Sequence, residues 1–413
     1  MTIKIRTIRE EETPAWLESL SSSFLEPFDT VKVAEEVRPL WDYSRVWGAL
    51  EGETIVGTFR SWATELTLPG GERLPGSAVA GVSVRPTHHR RGILTEMVAA
   101  EHRAARERGE AVAVLYASEY AIYGRFGYGP SSPWATWSLD ASGTRFHPES
   151  TGSIEFAKPS TESRDAIRDI FEAWRLGQAG ELRRRDFTWD LDLGLRESVW
   201  GPTWKGYLYL HRDASGQLDG YVRYRPEEKW TQRQPRNILN VDELHALNDD
   251  AYSALWQFLA NVDTVATIKA ERRRPAERLP WLLTNARAAE PSDMGDGLWV
   301  ALLDPAQALA ARAYEREGLL VLEAIQGAGG GSGREVRHRI ALEAGPAGAT
   351  CKVTDRAPDL TLDLAALGAA YLGGVRLRDA VAARGVDEHR PGALVEADSL
   401  FAAADPPWCS TFF

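Results

Sequence analysis

Cysteine is nearly absent from this chain, which has two cysteines, Cys351 and Cys409, in 413 residues. A pair so sparse builds no disulfide framework of the kind that staples small secreted domains, so we expect a reducing compartment, the cytoplasm. Long apolar runs are also absent, since no stretch approaches the ~20 apolar residues of a membrane-spanning helix. Residues 1–10 alternate apolar and polar side chains, which predicts a first strand and not a signal peptide.

An excess of basic residues is lacking too. Lys and Arg number 48 against 59 Asp and Glu, and the formal net charge is -11. Proteins that bind nucleic acid usually show a basic footprint, so we expect no nucleic-acid partner. An acidic surface concentrates cations, which is compatible with a small cationic substrate. We also expect no metal site and no membrane span.

Apolar residues, by contrast, are plentiful at 44% of the chain. This fraction supplies several hydrophobic cores, and at roughly 100–200 residues per domain the length predicts about two to three domains. Near the N-terminus, strand-like runs flank turns at Gly52 and at residues 69–71, which predicts two hairpins. A strand, a turn, a helix and a buried strand are expected to follow them.

The most informative stretch combines this strand, turn and helix. Residues 78–84 are small and β-branched, which indicates a strand, and residues 93–108 carry apolar side chains at close to helical spacing. Arg90, Arg91 and Gly92 lie between them. A helix N-terminus presents unpaired N–H groups and a partial positive charge, so this basic turn suits a phosphate group. An ordinary basic helix start is the alternative.

A second stretch, residues 117–130, reads Ala-Ser-Glu-Tyr-Ala-Ile-Tyr-Gly-Arg-Phe-Gly-Tyr-Gly-Pro. Taken alone, this mixture of aromatic residues and glycine predicts a backbone that bends tightly around packed rings. Together with residues 82–95, it resembles the enhanced-intracellular-survival (Eis-type) N-acetyltransferases, which are GNAT acyltransferases. The turn is similar to the GNAT pyrophosphate-binding signature Arg/Gln-x-x-Gly-x-Gly/Ala, except that Leu94 replaces the final small residue.

This resemblance implies an α+β fold in three parts: an active N-terminal GNAT fold, a degenerate central GNAT fold and a sterol-carrier-like α/β domain. The expected domain limits are 1–150, 151–300 and 301–413. In agreement, the central strands are not followed by an Arg/Gln-x-x-Gly-x-Gly loop, and from about Leu303 the composition shifts to Ala, Leu and Gly. In this last part, Asp304-Pro305 is expected to begin a helix that ends near Gly318. The family also implies a homohexamer.

The resemblance further implies that acetyl-CoA is the co-substrate. Residues 82–84 would face its pantetheine arm between two splayed strands, although an ordinary core strand would have the same side chains. The Val82 N–H would also hold the oxygen of the tetrahedral intermediate. The residues expected to bind the co-substrate are Val82, Ser83, Val84, Arg90, Arg91, Gly92, Ile93, Leu94, Thr95, Ser118 and Glu119.

Two residues match catalytic positions of the family: Tyr123 as general acid, and Phe413, whose C-terminal carboxylate would be the general base. Residues 405–413 end on two Phe after Pro-Pro. Leaving a large apolar side chain exposed costs about 1.5–3 kcal/mol, which predicts that this end docks into a crevice. Docking for stability alone is the alternative. A carboxyl group with a reference pKa of about 3.5 becomes a better base when burial raises that pKa.

Phe24, Glu26 and Trp41 are expected to line the acceptor cleft, because a carboxylate among aromatic rings suits a cationic amine. The implied reaction is acetyl transfer from acetyl-CoA to a multi-amine acceptor of the aminoglycoside, polyamine or lysine type. One alternative is a non-catalytic protein that binds a lipid or an acyl-CoA, with the lipid held in the sterol-carrier-like domain. A further alternative is an enzyme that transfers a longer acyl chain from its co-substrate.

Overall fold

The computed structural model describes residues 3–147, 150–198, 201–326, 336–379 and 386–413. The chain divides into two compact units, each assembled from more than one segment of sequence. The first unit comprises Met1–Ser132, Gly297–Pro407 and Phe412–Phe413, and the second comprises Pro133–Asp296 and Trp408–Thr411. No helix in the described ranges is long and apolar enough to span a membrane.

The secondary structure mixes strands and helices along the whole described chain. The strands are β1 (Ile3–Thr7), β2 (Val46–Glu51), β3 (Thr54–Thr67), β4 (Arg73–Val84), β5 (Val112–Tyr116), β6 (Tyr128–Pro130), β7 (Pro133–Asp140), β8 (Ser153–Ala157), β9 (Tyr207–Arg212), β10 (Leu218–Glu227), β11 (Trp230–Thr231), β12 (Gln234–Pro235), β13 (Asn237–Ala246), β14 (Val265–Arg273), β15 (Ala289–Asp296), β16 (Leu298–Leu302), β17 (Gly318–Gln326), β18 (Val336–Gly345), β19 (Gly348–Val353), β20 (Leu360–Asp363) and β21 (Val386–Glu388). The helices are α1 (Thr13–Phe24), α2 (Thr30–Val37), α3 (Ile93–Glu107), α4 (Tyr120–Tyr123), α5 (Thr161–Arg175), α6 (Asp186–Asp192), α7 (Asp249–Ala260), α8 (Pro305–Ala311), α9 (Leu364–Ala370) and α10 (Ala393–Phe401).

The N-terminal sheet lies in the first unit and has the strand order β1-β2-β3-β4-β5-β16-β6. Both predicted hairpins are confirmed: β2–β3 turns at Gly52 with φ +64°, and β3–β4 turns at Gly70 and Gly71 with φ +94° and +87°. Helix α3 then connects β4 to the parallel strand β5, as the sequence predicted. The core lies between α3 and the sheet, where Phe59 and Met97 are buried.

The carboxylate of Glu101 attaches α3 to the sheet from inside this core. Glu101 is fully buried. Its oxygens accept hydrogen bonds from Trp47 Nε1 at 2.7 Å, Ser61 Oγ at 2.6 Å and Ser77 Oγ at 2.9 Å. Arg108, just beyond the helix, adds an ion pair at 2.6 Å. Because a buried carboxylate is stable only with such partners, these bonds fix the register of α3 on β2, β3 and β4.

The second unit holds a sheet of strand order β15-β7-β14-β13-β10-β9-β8, against which α5 and α7 pack. Ser160 and Asn248 cap the N-termini of these helices, their side chains accepting from the N–H groups of Ser163 and Ala251. Side chains such as Trp256 fill the core between α7 and the sheet. The unit thus has its own hydrophobic core.

Two strands do not pair within the sheet that the predicted domain limits assign to them. Strand β7 pairs with β14 and β15 in the second unit, whereas β16 pairs with β5 and β6 in the first. The domain limits predicted near residues 150 and 300 stay a proposal. A single cut of the sequence near residue 150 would separate β7 from its sheet, and a cut near residue 300 would divide β16.

The C-terminal sheet also belongs to the first unit, with the strand order β19-β18-β17-β20-β21. Helix α9 is buried along its whole length and packs on β6 and β16. A Cβ on Gly368 would lie 2.3 Å from the Val300 carbonyl oxygen, and one on Gly129 would lie 2.0 Å from the Ala365 carbonyl oxygen. Close backbone packing therefore requires glycine at both positions.

Helix α8 ends at Ala311, several residues before the end near Gly318 that the sequence predicts. Arg312 is extended, with φ -82° and ψ 152°. Its buried guanidinium donates to the carbonyl oxygens of Tyr371 at 2.6 Å and Phe401 at 3.0 Å. These carbonyls lie at the C-terminal ends of α9 and α10, where a cation is favoured. The longer helix was a wrong prediction because Arg312 leaves the helix to make this tertiary contact.

Candidate active site

Strands β4 and β5 are paired over a short stretch and then separate. Residues 76–78 lie opposite residues 112–114. Beyond Ala78, β4 continues along β3 to Val84, while β5 continues along β16 to Tyr116. Main-chain groups of both strands therefore face a gap, where an extended ligand can take the place of a neighbouring strand. The splayed strand pair expected from the sequence is present.

A β-bulge lies on β4 where the gap opens. Its pairing with β3 jumps from Ala80 to Ser83, so Gly81 and Val82 are the bulged residues. Gly81 has φ +61°, and a Cβ there would lie 2.9 Å from the Trp16 ring, so a larger residue would be strained. Bulges re-aim main-chain groups beside active sites. The N–H predicted to bind the oxyanion, that of Val82, belongs to this bulge.

The turn that precedes α3 has an open, positively charged backbone. Arg90 (φ +62°) and Gly92 (φ +79°) both have left-handed backbone angles, and no atom lies within 4 Å of the place of a Gly92 Cβ. Glu96 N–H donates to the Gly92 carbonyl at 3.1 Å, so the N–H groups of residues 93–95 precede that bond and are available to an anion. Arg90 and Arg91 are exposed on the same turn. This donor set fits a pyrophosphate group.

Several groups at the end of β4 and in the turn that follows it already have hydrogen-bond partners in the protein. His89 Nε2 lies 2.8 Å from the Val84 carbonyl oxygen, and Ser83 Oγ lies 2.7 Å from Thr58 Oγ1. His88 Nε2 lies 3.3 Å from a Glu51 carboxylate oxygen. The two histidines thus have partners at the ends of β4 and β2. Of the helix residues predicted to bind the co-substrate, Ile93 is buried, Leu94 is half-buried and Thr95 is exposed.

Tyr123 ends the short helix α4, and it is 6% exposed. Burial raises the pKa of its phenol above the ordinary value of 10; a hydrogen bond with Ser118 opposes this shift, and the charge of Glu119 adds to it. Tyr123 is therefore protonated at neutral pH and can donate a proton. Ser118 and Glu119, two of the predicted co-substrate contacts, are exposed near this phenol.

A neutral histidine–tyrosine pair supports the Tyr123 ring. Tyr128 packs edge-on against Tyr123, with ring centroids 6.1 Å apart. The Tyr128 hydroxyl lies 2.9 Å from His102 Nε2. Burial lowers the pKa of His102 to about 3, so its imidazole is neutral. No sequence motif marks this pair, although a histidine on the apolar face of α3 is a local signal for it.

The last two residues of the chain pack where β4 and β5 separate. The Phe413 ring lies edge-on to Trp62 at 4.8 Å and to Tyr116 at 5.3 Å. Phe412 packs on Tyr116 at 4.8 Å but stays 53% exposed. Trp62 lies opposite Ala78, the last residue of β4 that pairs with β5, and Tyr116 ends β5. The predicted docking of the aromatic end is confirmed for the ring of Phe413.

Within the second unit, the carboxylate of Glu181 holds the residues that precede Phe412. It accepts hydrogen bonds from the Ser410 N–H at 2.8 Å, Ser410 Oγ at 2.7 Å and the Thr411 N–H at 3.2 Å. Arg184 Nε also donates to Thr411 Oγ1 at 2.9 Å. The backbone immediately before the chain end is therefore fixed by a buried carboxylate, which sequence analysis did not identify.

Of the three residues predicted for the acceptor cleft, Trp41 shares the Arg60 guanidinium with Trp62, the ring that contacts Phe413. Trp41 packs on Trp16 at 5.1 Å, and the Arg60 guanidinium lies over its ring at 5.1 Å. Phe24 and Glu26 lie exposed at the C-terminal end of α1. In the described part of the chain, no hydrogen bond, ion pair or ring contact joins them to Trp41. Their role in acceptor binding stays a prediction.

Family comparison covers most of the chain. Residues 4–131 and residues 180–303 each match an acetyltransferase (GNAT) domain family, and residues 305–410 match the sterol carrier protein domain family. The chain is a GNAT acetyltransferase in which tandem GNAT domains are followed by a sterol-carrier-like domain, so the predicted fold class is confirmed. GNAT acetyltransferases use acetyl-CoA.

Full-length relatives identify the family within this class. An uncharacterized N-acetyltransferase of Streptomyces griseus is 37% identical over 425 residues, covering 100% of both chains. The N-acetyltransferase Eis of Mycobacterium tuberculosis is 34% identical over 365 residues, covering 87% of this chain and 86% of its own length. The crystal structure of Eis1 from Mycobacterium abscessus matches with a TM-score of 0.84 at 32% identity, covering 99% of this chain and 100% of that chain.

This chain belongs to the Eis family of GNAT N-acetyltransferases. The resemblance predicted from residues 82–95 and 117–130 is confirmed. The same homology supports an enzyme over the non-catalytic binding protein that the sequence analysis kept as an alternative.

Proposed function

We propose that this chain transfers the acetyl group of acetyl-CoA to a primary amine of a small cationic acceptor that carries several amines. The position of the Phe413 ring against Trp62 and Tyr116, at the opening between β4 and β5, is the observation that supports this most directly. It brings the end of the chain to the splayed strands. In this proposal the terminal carboxylate is the general base and Tyr123 is the general acid. Aminoglycosides, polyamines and lysine side chains are the acceptor types considered.

The co-substrate would lie along the gap between β4 and β5. Main-chain groups of residues 82–84 would bind the pantetheine arm, and the turn of residues 90–95 would bind the pyrophosphate. The open left-handed backbone at Gly92 and the helix N–H groups that follow it support this placement. Ser118 and Glu119 would lie beside the thioester end, because Ser118 is hydrogen-bonded to Tyr123.

The reaction begins with removal of a proton from the acceptor ammonium by the Phe413 carboxylate, because a protonated amine has no lone pair. The nitrogen then forms a bond to the acetyl carbonyl carbon, and the carbonyl π pair moves to oxygen, where the Val82 N–H stabilises it. The oxygen pair then re-forms the carbonyl as the C–S bond breaks, and the sulfur leaves with its electron pair and takes the Tyr123 phenol proton. The nitrogen loses a second proton to water, which leaves an amide and free CoA. Proton exchange with water restores the Phe413 carboxylate and the Tyr123 phenol.

A one-residue extension tests the proposed base. Adding Gly after Phe413 keeps every side chain but moves the carboxylate by one residue, about 3.8 Å between Cα atoms. We expect kcat for CoA release with a multi-amine acceptor to fall by roughly 100-fold, with the KM for acetyl-CoA nearly unchanged. Phe413→Tyr is the control, because it keeps both an aromatic ring and the carboxylate in place. Unchanged turnover in the extended chain would assign the base elsewhere.

Three further expectations stay predictions. These are the homohexamer, the cytoplasmic location and the domain limits at 1–150, 151–300 and 301–413. They bear on how the enzyme is assembled and where it works, and the proposed chemistry does not depend on them.

A further inference from the structure

Arg60 is a positive charge held between aromatic rings beside the chain end. It lies on β3 on the same face as Trp62, because side chains two residues apart on a strand point the same way. Its guanidinium carbon lies 5.1 Å from the centre of the Trp41 ring and 4.9 Å from that of Trp62. Burial lowers the pKa of Arg60 to about 10, so the side chain remains charged at neutral pH.

Arg60 is half-buried, and it differs in its partners from fully buried arginines. Arg184 pairs with Glu243 at 2.5 Å, and Arg273 pairs with Glu277 at 3.0 Å. Within the described ranges, no hydrogen bond or ion pair reaches the Arg60 nitrogens, and they are not among the polar atoms sealed from solvent. A guanidinium that is held by two rings, with its N–H groups still accessible, is pre-organised to bind an anion.

The position of Arg60 relates this anion site to the reaction. Arg60 pairs with Ala80 directly before the bulge of β4. The Trp62 ring under its guanidinium also contacts the Phe413 ring at 4.8 Å. An acceptor whose amine reaches the end of the chain would therefore have its other groups close to Arg60.

We propose that Arg60 binds a carboxylate of the acceptor, so that the preferred substrates are amines that also carry a carboxylate, such as lysine. This inference rests on the proposed acetyl transfer and names the substrate class of that same site. A guanidinium can bind a carboxylate through two parallel hydrogen bonds, which orients the acceptor as well as attracting it. A purely cationic polyamine would gain no such bond and would be repelled by the same charge.

Lysine and cadaverine test the proposal because they differ only in the α-carboxylate. With the full chain, kcat/KM for CoA release is expected to be at least about tenfold higher for lysine than for cadaverine. Arg60→Gln should bring this ratio close to one by lowering the lysine value, and Arg60→Lys should keep part of the preference. Arg103→Gln, which changes an exposed arginine of α3, is the matched control and should leave both values unchanged. Thermal unfolding of each variant confirms that it is folded.

Two results would overturn the proposal. One is a ratio close to one in the unaltered enzyme. The other is an equal loss with both acceptors in Arg60→Gln, which would assign the guanidinium to the Phe413 carboxylate instead.

If neither amine releases CoA, the proposed acetyl transfer to such amines fails, and calorimetric binding in the presence of CoA decides the carboxylate site separately. Tighter binding of lysine than of cadaverine, lost in Arg60→Gln, would support the site. Equal binding of the two amines would exclude it.

Discussion

A phenol can act as an acid only while it is protonated, and the environment of Tyr123 maintains that state. Burial raises its pKa above 10, so the protonated form persists through neutral and mildly alkaline pH. Turnover that depends on this proton should therefore not decline on the alkaline side until the pH passes 10. Under the proposed mechanism, a decline on the acid side would report protonation of the terminal carboxylate.

Removal of the Tyr123 hydroxyl should affect chemistry and not binding. In Tyr123→Phe, we expect kcat to fall by roughly 100-fold or more, because the leaving thiolate loses its proton donor, with the KM for acetyl-CoA nearly unchanged. Steady-state CoA release measures both constants. Tyr120→Phe is the control, since Tyr120 lies on the same short helix and is 59% exposed. Turnover of Tyr123→Phe within threefold of the unaltered enzyme would contradict the assignment.

The sequence could predict some of these residues and not others. Tyr123 lies in a dense aromatic and glycine motif and Phe413 ends an apolar tail, and the resemblance to Eis-type enzymes singles out both residues without coordinates. Arg60 lies in an ordinary strand, where an arginine usually points to solvent. Its position between Trp41 and Trp62 depends on how β3 is placed relative to residues far away in sequence, and local pattern does not contain that information.

Elements of regular structure follow local signals closely. The predicted helix 93–108 is observed as α3 over Ile93–Glu107, because its apolar spacing and the glycine before it are both local features. The predicted end of α8 was wrong, because the contacts of Arg312 with the ends of α9 and α10 are tertiary. The difference between the two cases is whether the terminating interaction lies within a few residues in sequence.

The attachment of α3 to its sheet can be tested through Glu101. Glu101→Gln removes the charge that pairs with Arg108 and adds an NH₂ group among hydrogen-bond donors. We expect the free energy of unfolding to fall by about 3 kcal/mol, which denaturant titration measures. Glu107→Gln, at an exposed position of the same helix, should change it by less than about 0.5 kcal/mol. Equal stability of the two variants would show that the buried network contributes little.

At the scale of the whole molecule, packing of the C-terminal sheet's helix on the N-terminal sheet depends on small residues. Gly368→Ala would place a Cβ 2.3 Å from the Val300 carbonyl oxygen, so α9 or β16 must shift. We expect a loss of about 1–3 kcal/mol, seen as a lower melting temperature in calorimetry. Gly201→Ala has nothing within 4 Å of the new Cβ and should melt like the unaltered protein. If Gly368→Ala melts at the same temperature as the unaltered protein, α9 and β16 accommodate the added methyl group without loss of stability.

At the scale of the whole molecule, the sequence did not predict which sheet each strand joins. Leu298–Leu302 is a run of apolar residues that suits a buried strand. Its partners β5 and β6 are far away in the chain, and the second sheet lies nearer in sequence. Hydrophobic pattern predicts burial but not which of two available sheets will accept the strand. The resemblance to GNAT enzymes supplied the fold class, and the pairing of individual strands required coordinates.

The placement of β16 also has a consequence during synthesis. In the finished sheet β16 lies between β5, which ends at Tyr116, and β6, which ends at Pro130, yet it begins at Leu298. At roughly 5–20 residues per second, both neighbours leave the ribosome about ten seconds or more before the strand between them is made. During that interval each has an edge whose native partner does not yet exist, and unpaired edges attract other chains. The yield of active enzyme in a cell should therefore depend on translation rate and on chaperones that cover these edges, as well as on final stability.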